Sequence, residues 1–335
     1  MSGIIKIIGF FIISTALLSC SESSGYKKRL SIPYKNMEPQ TVEIIEYNKA
    51  LFAIDTADFE AGLKALAPRF KPLLGDTLNE DFVMYLKEFV TDTFILKINR
   101  LVNETFPDIE AVAKDVKYVY QHVKYYYPEY TIPTTYSYVS GIYHDKPHLI
   151  NDDYILLGLD FYLSNKDFVY DRIGFPRYMS RRCQPVYLTR DLAEAFYNSF
   201  ITKQINQKNV LAEMVEHGKK LYFVEAMDPR LQDSVIMGYS SSQMQWAKDN
   251  EGEVWASVVG NEMLYANNYD SKRLLFGDGP FTAPFGEEAP ARLGEYLGLQ
   301  IVRSFMLNND VTLIELMNMT DCQDVLQRSQ YKPRK

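Results

Sequence analysis

Leu156-Leu157-Gly158-Leu159-Asp160-Phe161-Tyr162-Leu163 is the stretch on which the reading of this 335-residue chain turns. A run this strongly apolar at its centre predicts a strand, here extending from Asp153 to Leu163. Just before it, Tyr136-Ser137-Tyr138-Val139-Ser140-Gly141-Ile142-Tyr143 is aromatic and β-branched, which predicts a second strand. His144-Asp145-Lys146-Pro147-His148 joins them, so the two form a hairpin or an adjacent pair in a small sheet. One residue does not fit the apolar run. A buried Asp160 carboxylate costs several kcal/mol unless it finds a partner. It either pairs with an arginine, with Arg181, Arg182 and Arg303 as candidates, or faces a cleft.

On both sides the periodicity becomes helical. Val42 to Asp55, Asp58 to Leu74 and Asn79 to Leu96 space their apolar residues for helices. Pro107 opens another, with Asp108 and Glu110 near its positive end, running to about Tyr125. After the strands, Thr189 caps a helix over Arg190 to Ile205, and Asn209 to Ala226 follows. Ser240 to Ala266 is broken near Asn250-Glu251-Gly252. Phe276 to Gly286 is a loop full of breakers. Pro290 to Leu307 and Val311 to Gln327 close the chain. Trp246 and Trp255 fall in one amphipathic helical region and are expected to be largely buried. No linker divides the body. The expectation is one helix-rich α+β domain over residues 35–333, with a small sheet near its middle.

The N-terminus carries an apolar run from Ile7 to Leu18 after a single charge at Lys6. A transmembrane helix needs about 20 apolar residues, so the run suits a secretory signal of residues 1–19 instead. It stops at Leu17-Leu18-Ser19-Cys20, which resembles a bacterial lipobox with Cys20 as the lipidated residue. Residues 20–34 then read as the lipidated Cys and a flexible tether. Ser21 favours the outer membrane, and the lack of a dense acidic run in the tether favours its periplasmic face. A net charge of −7 argues against nucleic acid. Cys183 and Cys322 could pair in an oxidising periplasm, but two lone cysteines are weak grounds for it.

Chemistry is sparse. His144-Asp145-Lys146-Pro147-His148 imitates the H-E-x-x-H zinc motif, but that motif needs one helical face and Pro147 would break the helix. Surface histidines beside a turn are the plainer reading. Glu194 reads first as a solvated helix acid. Tyr118, Tyr120, Tyr125, Tyr126, Tyr127, Tyr130, Tyr136 and Tyr138 suggest a half-buried aromatic wall rather than a glycan platform. No G-x-S-x-G, P-loop or Rossmann glycine pattern occurs.

Several words together resemble a known family. They include Leu159-Asp160-Phe161-Tyr162-Leu163, Phe175-Pro176-Arg177-Tyr178, Gly218-Lys219-Lys220-Leu221-Tyr222-Phe223, Asp278-Gly279-Pro280-Phe281, and Pro290-Ala291-Arg292-Leu293-Gly294-Glu295-Tyr296-Leu297-Gly298. In number and order they look like the gliding-motility lipoprotein GldB of the Bacteroidetes, over roughly residues 40–333. The resemblance implies an outer-membrane lipoprotein that supports gliding or type IX secretion machinery, with envelope proteins as partners, and it implies no reaction. Behind it lies a weaker similarity to a zincin-type metalloprotease scaffold. That alignment puts Ala193 and Tyr197 where two zinc-binding histidines would stand, Glu194 at the general base, and His217 near the third ligand with Glu216 beside it. With two of three ligands missing, it implies a degenerate groove around Asp160, Glu194 and His217, with no catalytic residues, catalytic metal or cofactor, able to hold an extended peptide. Two other readings remain: a metallohydrolase using His217 with Glu194, Glu213 or Glu216, and a glycan-binding lipoprotein using the tyrosines.

Overall fold

The computed structural model describes residues 29–33, 42–143, 147–164, 167–201 and 208–334. Cys20, residues 21–28 and 34 of the tether, and His144 lie outside the described residues. The described end of the tether is packed rather than free, with Leu30 and Ile32 buried and Arg29 Nη1 donating to Asn309 O at 3.1 Å. The fold is α+β: many helices surround one four-stranded sheet.

The strands are β1 (Ile44–Glu46), β2 (Thr134–Tyr138), β3 (His148–Ile150) and β4 (Tyr154–Gly158), in the order β1-β2-β4-β3. β1, β2 and β4 run parallel, with Tyr136 opposite Leu156, and β3 is an antiparallel edge strand on β4. The two strands read from sequence are therefore adjacent but do not form a hairpin. The hairpin is β3–β4. Its turn is held by Asn151, whose Oδ1 accepts from Asp153 N at 3.0 Å and Tyr154 N at 2.8 Å. This corrects His148 as well: it is a buried strand residue, not a surface one.

Alternation along β4 explains why the sheet is covered on both faces. Leu156, with Tyr136 of β2, packs on Tyr47, Leu51, Phe59, Leu63 and Phe70. These come from α1 (Tyr47–Phe52), α2 (Phe59–Leu66) and the turn into α3 (Lys71–Leu74), with α4 (Glu80–Thr91) adding Leu86 and Val90. Ile155 and Leu157 face the larger core. α5 (Thr93–Thr105) and α6 (Ile109–Tyr126) lead to that side, where Tyr120 Oη meets Thr135 Oγ1 at 2.8 Å.

After β4 the chain forms α7 (Asp167–Arg172), α8 (Arg177–Ser180), α9 (Leu188–Phe200) and α10 (Val210–Met227). Next come α11 (Asp233–Met237), α12 (Ser241–Asp249), α13 (Glu251–Gly260), α14 (Tyr269–Phe276), α15 (Leu293–Asn308), α16 (Leu313–Asn318) and α17 (Cys322–Ser329). α10 and α15 pack backbone against backbone. A Cβ on Gly218 would lie 2.2 Å from Gly298 O, and one on Gly298 would lie 1.9 Å from Met214 O. The glycines of these two motif-like stretches are thus a helix crossing.

Several expected helices are divided. The stretch from Val42 contains β1 as well as α1. A turn at Ala67-Pro68 separates α2 from α3. Asp92 ends α4 and caps α5, accepting from Phe94 N at 2.7 Å and Ile95 N at 2.9 Å, the usual role of a short acid at that position. Asp321 similarly starts α17 by accepting from Asp324 N. The tryptophans lie on two helices, α12 and α13, and each is half-buried. Trp246 packs near Phe285, and Trp255 meets Tyr331 edge-on at 5.3 Å. Cys183 and Cys322 are buried and free. Most of the named tyrosines turn inward, with Tyr127 and Tyr130 on Phe200, while Tyr125 is exposed.

Candidate functional site

A cleft of about 470 Å³ opens between β3 and α9. Helical spacing selects what α9 shows it: Arg190, Asp191, Glu194, Ala195, Asn198 and Ser199 share the face that lines it. Ala193 and Tyr197 belong to the opposite, buried face. Ala193 is fully enclosed, and Tyr197 meets Phe223 edge-on in the core. The two positions assigned to missing histidines therefore do not face the cleft. The charged set Arg190, Asp191 and Glu194 does.

These charges are tied to one another. Arg190 Nη1 donates to Asp191 Oδ1 at 2.7 Å and also pairs with Glu194. From α10, Lys220 Nζ donates to Glu194 Oε1 at 3.0 Å. Burial pushes the Glu194 carboxyl up, but Arg190 and Lys220 outweigh it and hold the group well below the ordinary carboxylate range. A general base works best with a pKa near the operating pH, and Glu194 is far from that. The reading of Glu194 as a solvated acid is corrected: it is a two-cation ion-pair centre. Asp191 Oδ2 accepts from Tyr162 Oη at 2.9 Å, and the same hydroxyl lies 2.9 Å from His148 Nε2. Burial lowers the His148 pKa to about 4, so the imidazole is neutral at pH 7.

His217 stands beyond Lys220 on α10. Its ring lies nearly parallel to Phe276 at 5.4 Å, and its Nδ1 is 3.4 Å from Glu295 Oε1. Burial pulls its pKa down, and Glu295 works the other way. Glu213 instead pairs with Lys272, and Glu216 with Lys219. Among the described residues no three His, Cys, Asp or Glu side chains gather as they must to hold a metal ion.

Asp160 lies elsewhere. It sits in a 3-10 turn, Leu159–Phe161, just after β4 rather than within the strand. The carboxylate accepts from Ser140 N at 2.9 Å, Ile142 N at 2.7 Å and Ser140 Oγ at 3.0 Å. Neither expectation for it holds. Its partners are the tight turn after β2, where Gly141 and Ile142 both have positive φ. Arg303 is engaged with Glu225 and Asp233 instead. Burial raises the Asp160 pKa, opposed by those N–H donors.

Arg182 lines the cleft near the start of α9. It donates to Asp278 Oδ2 at 2.5 Å, and Arg292 Nε approaches Oδ1 of the same carboxylate at 3.4 Å. Arg292 also reaches Glu295 at 3.1 Å and Met237 O at 2.6 Å, from a left-handed backbone at φ 60°. Gly238 leaves room for this: a Cβ there would lie 2.8 Å from Arg182 Cδ.

The words that carried the family resemblance converge here: Arg292 with Glu295, Asp278 and Lys220 all belong to the ion-pair floor around the cleft. The sequence profile of a family described as gliding motility protein GldB matches residues 27–333. The chain belongs to the GldB family. No curated protein and no solved structure matches it. Among the described residues no helix is long and apolar enough to cross a membrane.

Proposed function

We propose that this GldB-family chain is a non-catalytic accessory lipoprotein of gliding or type IX secretion machinery, whose β3–α9 cleft docks an extended polypeptide. Acyl chains on Cys20 hold it to the outer membrane at the periplasmic face. The cleft has an edge strand on one side and a helix on the other, and that helix presents an ion-pair cluster.

The observation that carries this reading is the register of β3. Hydrogen-bonded and non-bonded pairs alternate in an antiparallel ladder. Gly158 N donates to Pro147 O and Asn151 N to Tyr154 O, so Leu149 points its amide at β4. The amides and carbonyls of His148 and Ile150 then point away from β4, with no backbone partner among the described residues, and both residues line the cleft. Such an edge can accept a strand from another chain by main-chain hydrogen bonds alone. The absence of a poised base at Glu194, fixed between two cations, favours binding over hydrolysis.

Crosslinking of the native lipoprotein in envelopes, followed by its recovery, tests the assignment to machinery. Motility or secretion subunits are the expected yield. Stoichiometric zinc in protein purified without chelator, lost on His217→Ala or Glu194→Ala, would overturn the non-catalytic reading.

A further inference from the structure

The cleft has a cationic end. At the start of α9, Arg182 and Arg292 share the single carboxylate of Asp278. Arg181, next to Arg182 in the chain, is not one of the residues lining the cleft but lies within the field of Arg182, Arg292 and Asp278. Its guanidinium is partly buried, its Nε has no acceptor, and no acidic side chain pairs with it among the described residues. Burial first, then the neighbouring Arg182 and Arg292 charges, push its pKa down, with Tyr187 and Asp278 opposing them. Tyr187, a cleft wall, lies within the field of Arg181, Arg190 and Arg182. The site therefore lacks one negative charge. A carboxylate suits it, because guanidinium and carboxylate match in planar, bidentate geometry.

The direction of β3 fits the same end. His148 Nε2 lies 3.2 Å from Leu188 O, which puts the start of β3 beside the start of α9. A chain added antiparallel to β3 runs from Ile150 towards Pro147 and so delivers its C-terminus to the arginines. Phe161, Phe175 and Met179 give that end apolar walls for side chains of the arriving residues.

We infer that the cleft receives the C-terminal end of a partner polypeptide, extended antiparallel to β3, with its terminal carboxylate on the Arg182 guanidinium and in the field of Arg181. The inference rests on the docking reading above and adds the polarity and terminal chemistry of the occupant.

Paired arrays of the same octapeptides test it, one set ending in a free carboxylate and the other in a C-terminal amide. Each is probed with the full chain in detergent, and the urea midpoint of every variant is measured alongside. Peptides that bind should prefer the free carboxylate by about tenfold, the scale of one charge-assisted contact. Arg181→Gln and Arg182→Gln should each erode that preference, and Arg181→Lys should retain most of it. Ile150→Pro should abolish binding to both arrays while leaving the fold intact, because the Ile150 N–H points away from β4. Equal binding of amide and carboxylate peptides, still lost in Ile150→Pro, would overturn the terminal-carboxylate inference and leave docking standing. A preference that survives both Gln variants would also overturn it. Binding to neither array, or binding unchanged by Ile150→Pro, would remove the docking reading itself.

Discussion

Lys220 of α10 donates to Glu194 of α9 at 3.0 Å, and Arg190 meets the same carboxylate from one helical turn before it. An acid on a cleft-lining helix is thereby converted into a structural anion that joins two helices. Removing it should leave two cations under-compensated. Glu194→Gln is expected to lower stability at pH 7 by about 1–3 kcal/mol, less than for a fully buried pair because the side chain is partly wet. The pH dependence has a fixed sign. The folded pKa of Glu194 is depressed, so its stabilisation is whole above the unfolded value of about 4.3 and is lost progressively below it. Urea unfolding at pH 7 and below pH 4 checks this: the gap between wild type and Glu194→Gln should narrow in acid.

The α10–α15 crossing makes a second prediction. Gly298→Ala places a methyl 1.9 Å from Met214 O, and backbone cannot yield as a flexible side chain can. A loss of at least about 2–3 kcal/mol is expected from overpacking. Gly260→Ala is the control. Nothing lies within 4 Å of its added carbon, and it ends α13 in an ordinary helical conformation. It should gain up to about 0.5–1 kcal/mol from helix propensity. Equal thermal stability of the two variants would contradict the crossing.

Asp160→Ala should strip the turn after β2 of its acceptor. Ser140 N and Ile142 N both lose their carboxylate partner, at about 1–3 kcal/mol for each donor left unsatisfied. Hydrogen exchange should rise at residues 140–143 before it rises at β4. Protection unchanged at those amides would show that something else holds the turn.

Trp255→Ala should cost about 1.5–3 kcal/mol, below the 3–5 typical of enclosed aromatics, because only part of the indole is buried beside Tyr331. Calorimetry or urea unfolding gives the value directly.

The long amphipathic helices α6, α9, α10 and α15 were legible because their apolar stripes are long enough to show the helical period. α7, α8, α11 and α14 went unread, as short helices carry too few turns to display it. β2 and β4 were legible as apolar and aromatic runs, but their parallel pairing was not: the intervening β3 is only three residues long. The face of α9 was in principle readable. Leu188, Leu192, Ala193, Phe196, Tyr197 and Phe200 form one apolar stripe, which places Ala193 and Tyr197 inward and the charges outward. Aligning them with histidines overrode that stripe. The Arg190–Glu194 pair is readable as an i,i+4 spacing on one helix, but Lys220 could not be joined to Glu194 from sequence, because the contact between α9 and α10 depends on how those helices cross.

Peptide docking requires an unpaired outer edge on β3, and residue-resolved amide hydrogen exchange of the isolated chain tests that edge most directly. The register predicts that Leu149, bonded to β4, exchanges slowly while the half-buried Ile150, whose amide points away from β4, exchanges quickly, and that a bound cleft peptide slows Ile150. Strong protection of Ile150 in the free chain would mean the edge is already covered, and would contradict the docking cleft.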